Sequence, residues 1–169
     1  MKGNKIIDAT SISQKTKRMA FQIYEDNFDQ ETIYVLGIKP AGYLFAKRLA
    51  DMLSSISPIK VVLIAVDINK QNPLSSAENP FDNTIDLTDK NVLLVDDVAN
   101  TGKTLYFALK PILHFLPKKV QTAVLVDRQH KLFPIASDYV GMRLSTTLQE
   151  HISVELSATA SDQDAVYLI

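Results

Sequence analysis

The chain has no cysteine, so disulfides and thiolate metal sites are excluded, which fits a cytosolic protein. It has almost no net charge, a formal -1, so no global basic field draws it to nucleic acid. Its first residues, MKGNKIIDATSISQ, lack the apolar core of a signal peptide. No apolar run reaches the roughly 18–20 residues of a membrane span. Internal repeats and low-complexity segments are absent. The three histidines, His114, His130 and His151, share no spacing that would suggest zinc. His114 reads as a surface or interface residue of a helix, and His130 and His151 as solvated. The expectation is a soluble cytoplasmic protein without membrane contact.

What is present is a chain long enough to bury a core. With 169 residues, 46% of them hydrophobic, one domain over residues 1–169 is expected. Ser11 or Ser13 reads as the cap of a first helix, with Ile12, Met19, Ala20 and Ile23 on one face. TIYVLGI at Thr32–Ile38 reads as a buried strand. A Lys-Pro-Ala-Gly turn and a helix bearing Phe45, Leu49, Met52 and Leu53 follow. Residues 59–68 form a second apolar strand. Residues 69–83 hold two prolines, four asparagines and two serines, and read as a long loop of functional type. A third strand, NVLLVDDV, precedes a third helix, TLYFALKPILHFL. That helix should carry a stripe of Leu105, Leu109, Ile112 and Leu116, kinked or shifted in its start by Pro111. VQTAVLVD is a fourth strand. SDYVGMRL, HISVEL and AVYLI are shorter strands. Alternating strands and helices, with near-continuous apolar strands, predict an α/β fold. It is a Rossmann-like parallel sheet flanked by helices, with a small C-terminal β flap or edge extension.

The chemistry concentrates in residues 91–109, NVLLVDDVANTGKTLYFAL. The Gly-Lys-Thr invites a P-loop reading, but that loop needs glycine where Asp97 stands, and a carboxylate there would repel the phosphates. The two acids invite a phosphoacceptor receiver reading, but they come after too many strands, and too little chain follows. A sugar-phosphate seat uses every residue. In an open parallel sheet, ligands sit beyond the carboxyl ends of the strands, where Asp96 and Asp97 are delivered. Carboxylates accept hydrogen bonds from vicinal ribose hydroxyls and can hold hydrated Mg²⁺ nearby. The helix that starts within Thr-Gly-Lys-Thr offers free amides and a positive dipole end to a phosphate monoester. Thr101 and Thr104 add hydroxyls, and Gly102 permits close approach.

This stretch resembles the phosphoribosyl-diphosphate (PRPP) signature of type I phosphoribosyltransferases: apolar strand, two acids, Thr-Gly-x-Thr. IYVLGIKPAGYLFAKRLA looks like the pyrophosphate-loop region of the pyrimidine-operon attenuation regulators that double as uracil phosphoribosyltransferases. VLVDRQHKLFPIASDYVGMRLSTTLQEHISVEL looks like their base-site and flap region. The resemblance implies the type I fold. It also implies transfer of ribose 5-phosphate from PRPP to a base, most simply uracil, forming UMP and diphosphate with Mg²⁺. By the same resemblance Asp96 and Asp97 hold the ribose hydroxyls and, indirectly, the metal. Ala99, Asn100, Thr101, Gly102, Lys103 and Thr104 hold the 5-phosphate, and Lys39, Pro40, Ala41 and Gly42 approach the pyrophosphate. Lys70 is the cation of a mobile loop, and Val126, Asp127, Arg128 and Ile152 border the base. Related enzymes can hold the loop peptide cis. A cis X-Pro bond costs only about 0.5–1 kcal/mol against about 2.5–4 for other residues, whereas a trans proline would simply start the helix. Both states of Lys39-Pro40 are open.

The chain also departs from that subfamily. KPAG stands for Lys-Thr-Arg-Gly, and Lys70 stands alone where relatives carry a Tyr-Arg pair followed by acids. QHKLFPIAS carries fewer arginines than its counterparts, and Ser157 and Ala158 replace acids. Two rivals to the enzyme therefore stand: an RNA-binding, nucleotide-sensing regulator, and a ligand-binding protein without turnover. The regulator's cations would be Lys15, Lys17, Arg18, Lys118, Lys119, Arg128, Lys131 and Arg143, which otherwise are solvated surface charges. Exposed helix faces and family habit imply a homodimer or a higher homo-oligomer.

Overall fold

A computed structural model describes residues 3–75, 80–82 and 84–169. The elements run β1 (Asn4–Asp8), α1 (Ala9–Asn27), β2 (Thr32–Ile38), α2 (Ala41–Ile56), β3 (Lys60–Val66), β4 (Asn91–Ala99), α3 (Lys103–Leu113), β5 (Lys119–Arg128), β6 (Tyr139–Leu144), β7 (Ile152–Glu155) and β8 (Ala165–Leu168). A single 3₁₀ turn spans Pro73–Ser75, inside the loop expected over residues 69–83; residues 76–79 and 83 of that loop lie outside the described residues.

Five strands form a parallel sheet in the order β3-β2-β4-β5-β6. Its strands are apolar on both faces because both faces are covered. Along β2, Ile33 and Val35 enter one core with α1 and α2, whereas Leu36 and Ile38 enter a second core with α3. Strand β4 divides likewise, Leu93 and Val95 to the first core and Val92 and Leu94 to the second, as the two-residue period of a strand dictates. The parallel α/β sheet expected from the sequence is therefore the observed fold. The C-terminal flap is part of an antiparallel sheet, β1-β8-β7, whose third member is the N-terminal strand. β1 is too short and too polar on one side to show itself in the sequence.

Local corrections have physical causes. Helix α1 is capped by Asp8, whose Oδ1 accepts from the amide of Ser11 at 2.8 Å, and not by Ser11 or Ser13. Helix α3 runs through Pro111 and ends at Leu113. Pro111 falls in the last turn, and its missing N–H and its ring act on the Phe107 carbonyl behind it, so it does not set the end at Leu113. With the helix ended there, the expected stripe breaks. Leu105 and Ile112 are buried together with Ala108, but Leu116 lies beyond the helix at positive φ and is 77% exposed.

Candidate functional site

Strand β4 carries its acids to the carboxyl edge of the sheet. Asp96 is 1% exposed and Asp97 partly open. One oxygen of Asp96 accepts the Asp97 amide at 2.9 Å. Burial, reinforced by the neighbouring Asp97 charge, pushes the Asp96 carboxyl above the ordinary carboxylate range, and Lys70 pulls against that shift. The Lys70 ammonium lies 2.8 Å from Asp96 Oδ1 and 3.1 Å from Asp97 Oδ1. Its own desolvation favours the neutral amine, but the two carboxylates outweigh that and raise its pKa. Lys70, twenty-six residues before Asp96, thus grips both acids with one point charge.

Opposite the acids is the turn between β2 and α2. The Lys39-Pro40 bond is cis, not trans, although Pro40 does stand at the N-cap of α2. The Lys39 amide donates to Val66 O at 3.0 Å, and its ammonium faces Asp67 at 3.8 Å. Gly42 is pressed against Asp96. A Cβ there would sit 2.6 Å from Asp96 Oδ1 and 2.9 Å from its Cα. The loop and the acid pair are therefore in contact, and a side chain at 42 would separate them.

Beyond the acids, residues Ala99 to Thr104 wrap a hollow of ≈50 Å³ lined by Asp96 and residues 98–105. Gly102 has φ 84°, a left-handed conformation that favours glycine, and it is the N-cap of α3 without any side-chain cap. The Lys103 amide reaches Thr101 Oγ1 at 3.3 Å. The start of α3 thus carries no side-chain cap on its first amides and is set next to two carboxylates.

The residues expected around the base are placed differently from one another. Val126 is fully buried in the α1/α2 core, and Ile152 packs against that same cluster. Asp127 is ion-paired with Lys131. Arg128 is buried and acts as a strap: Nη1 donates to Asn100 Oδ1 at 3.1 Å, Nε to Thr146 Oγ1 and Nη2 to Thr147 O, both at 2.5 Å. The amides of Leu132 and Phe133 both donate to Thr101 O, at 2.9 and 3.1 Å. Arg128, Leu132 and Phe133 thereby fix the loop at residues 99–104 from 28 to 32 residues away. No local spacing in the sequence marks them.

Asp96, Asp97, Lys70, Gly42 and residues 99–104 are thus brought to one edge, while Val126 and Ile152 belong to the α1/α2 core cluster instead. Among the described residues no group of three or more His, Cys, Asp or Glu could hold a metal by itself. No described helix is long and apolar enough to cross a membrane.

Residues 3–159 match the family model described as the phosphoribosyl transferase domain. The chain is 35% identical over 170 residues to Bifunctional protein PyrR of Streptococcus pneumoniae (strain CGSP14), covering 99% of this chain and 98% of that protein. Among solved structures, the hypoxanthine phosphoribosyltransferase of Trypanosoma cruzi superposes with a TM-score of 0.78 at 16% identity, over 98% of this chain and 95% of that one. A hypoxanthine-guanine phosphoribosyltransferase of Bacillus anthracis does so with 0.77 at 20% identity, over 100% and 99%. These two likenesses concern the fold. With the family model matched along nearly the whole chain and a full-length relative at this identity, the chain belongs to the type I phosphoribosyltransferase family.

Proposed function

We propose that this protein transfers ribose 5-phosphate from PRPP to a nucleobase, and that uracil is its preferred base. The observation that carries the reading is one juxtaposition. An acid pair at the end of β4 lies between the Gly42 turn and the uncapped start of α3. PRPP has vicinal hydroxyls between two phosphate groups, and this edge offers acceptors between two donor regions. Uracil rests on the resemblance to the bifunctional regulators; the solved neighbours make hypoxanthine and guanine the rival bases.

In this reading Asp96 and Asp97 orient the ribose by accepting from its hydroxyls. The amides at the start of α3, with Thr101, Lys103 and Thr104, hold the 5-phosphate, and Ala99 and Asn100 form the wall of that seat. Lys39, Pro40, Ala41 and Gly42 border the pyrophosphate. Arg128 keeps the phosphate seat in register through Asn100. Lys70 neutralises the acids before substrate enters and gives them up to the ribose. The base nitrogen attacks the ribose C1 carbon and gives up its N–H proton to solvent or to the departing pyrophosphate, as the bond from C1 to pyrophosphate breaks.

The donor set fits Mg²⁺ of the kind that keeps most of its water. Two adjacent carboxylates already hold a cationic group between them, and two carboxylates plus substrate phosphates are what Mg²⁺ commonly uses. When bound, the ion neutralises charge on the departing pyrophosphate.

An RNA-binding regulator has less support. Of the eight cations it would use, Arg18 donates to Val140 O and Gly141 O, Lys118 to Gln30 and Lys119 to Asp26 O. Arg128 and Lys131 are engaged in the strap and in the pair with Asp127.

The decisive assay supplies PRPP, Mg²⁺ and radiolabelled uracil, hypoxanthine or guanine. Formation of UMP faster than IMP or GMP is expected. Faster purine transfer would replace uracil. PRPP binding in calorimetry with no nucleotide from any base would make the protein a ligand-binding member without turnover.

A further inference from the structure

A second hollow, of ≈650 Å³, lies between the start of α1, the later turns of α2 and the loop joining β7 to β8. It shares no residue with the hollow at the phosphate seat. Its volume is that of a small-molecule site.

Arg48 stands in its wall, with a side chain only 10% exposed. Its Nη2 does all of its bonding, to Ser157 O at 2.7 Å, Thr159 O at 3.2 Å and Asp164 Oδ2 at 2.7 Å. Its Nε is buried without any acceptor among the described residues. A buried donor left unmet costs free energy, so the present partners of the guanidinium do not satisfy it in full.

The charges around the hollow decide what can enter. One guanidinium faces three carboxylates, Asp51, Asp162 and Asp164. Burial opposes ionisation of Asp164, but the Ser161 and Ser157 amides and then Arg48 outweigh it and hold the carboxyl below its ordinary range. Arg48 is therefore already neutralised. Asp51 keeps a partner in Lys47 at 2.7 Å, whereas Asp162 is exposed at the rim. A phosphate would meet excess negative charge here. Apart from the Gln14 amide, the rest of the wall is hydroxyl and apolar, with Ser13, Ser55 and Met52 among it.

We propose that this groove is a second ligand site, taking an uncharged molecule of nucleoside size that carries both N–H or O–H donors and a carbonyl acceptor. The carbonyl meets the Arg48 guanidinium where it lines the wall, and the donors meet Asp51 and Asp162. The site is separate from the PRPP seat and does not depend on the transfer reaction. Its walls come from the helices of the main sheet and from the loop of the flap, so an occupant joins the two layers.

The test is an amide NMR titration of the full chain with uridine, and with UMP as its charged counterpart. Uridine should shift amides in residues 9–16, 48–55 and 157–164 saturably, and UMP should bind there more weakly. Ser55→Trp and Ala160→Trp fill the groove from opposite walls at exposed positions. Each should weaken uridine by about tenfold or more, a loss of about 1.4 kcal/mol. Both should leave the shifts caused by PRPP and Mg²⁺ at residues 96–104 unchanged. The proposal is overturned if uridine moves none of the three groove segments. It is equally overturned if both tryptophan variants bind uridine as wild type does, or if UMP binds the groove as tightly. Absence of PRPP shifts at residues 96–104 would count against the transferase reading alone.

Discussion

Gly42→Ala separates packing from propensity with a change of sign. Gly42 is the second residue of α2, and in an unencumbered helix alanine is favoured over glycine by about 0.8–1 kcal/mol. Propensity alone therefore predicts a more stable protein. The structure predicts the reverse. The added Cβ would lie 2.6 Å from Asp96 Oδ1, 2.9 Å from Asp96 Cα and 3.2 Å from Val95 O. Two of those neighbours are backbone atoms of β4, a central strand paired on both sides, and cannot swing away. Forcing a methyl into such a place costs about 1–3 kcal/mol. Subtracting the helix gain leaves a loss of up to about 2 kcal/mol, or a fall in Tm of up to about 8 °C for a chain of this size. The functional effect should exceed the stability effect, because the displaced parts are the turn at residues 39–42 and the acid pair. PRPP affinity, read by calorimetry, should fall by more than about tenfold, beyond about 1.4 kcal/mol. Differential scanning calorimetry with Ala41→Gly as a helix control gives the stability arm. A variant with raised Tm and unchanged PRPP affinity would refute the claim that Gly42 packs on Asp96.

Other outcomes test the rest of the site. Asp97→Asn should weaken PRPP binding while leaving Tm within about 2 °C, since Asp97 is partly open and a surface-like change costs little; equal affinity would remove the ribose assignment. Lys70→Met should make the ligand-free protein bind Mn²⁺ more tightly by electron paramagnetic resonance, because the two carboxylates lose the cation between them; unchanged Mn²⁺ affinity would mean that Lys70 does not occupy the cation's place. Asp96→Asn bears on pH. Burial and Asp97 raise the native pKa of Asp96, so the folded protein keeps a proton that the unfolded chain releases, and stability falls as pH rises from about 4 through the raised pKa. The Asn variant should lack that component in urea midpoints measured against pH, and parallel wild-type and variant curves would contradict it. Arg128→Lys replaces a fork with three partners by a point charge and should cost about 1–3 kcal/mol in urea unfolding while raising the KM for PRPP.

Much of this architecture is local and therefore legible in the residue order. The apolar runs of β2, β3, β4 and β5 announce a sheet covered on both faces, because burial on both sides removes polar alternation. The two acids and Thr-Gly-Lys-Thr mark the candidate ribose-phosphate seat, because an acid pair and a helix start a few residues apart need no distant partner to be recognised. Pro111 marked trouble in α3 but not where the helix would stop, since its effect depends on which turn it falls in. Other features arise from contacts between segments far apart in the chain. β1 exists as a strand because β8 pairs with it. The grip of Lys70 on both acids, the pressure of Gly42 on Asp96 and the strap from Arg128 to Asn100 join residues 26, 54 and 28 positions apart. The sequence by itself determined the sheet and the chemistry of its edge, through periodicity and neighbouring residue types. Only the tertiary structure decided how that edge is charged, packed and held, because electrostatics and close packing act through space and leave no spacing in the chain.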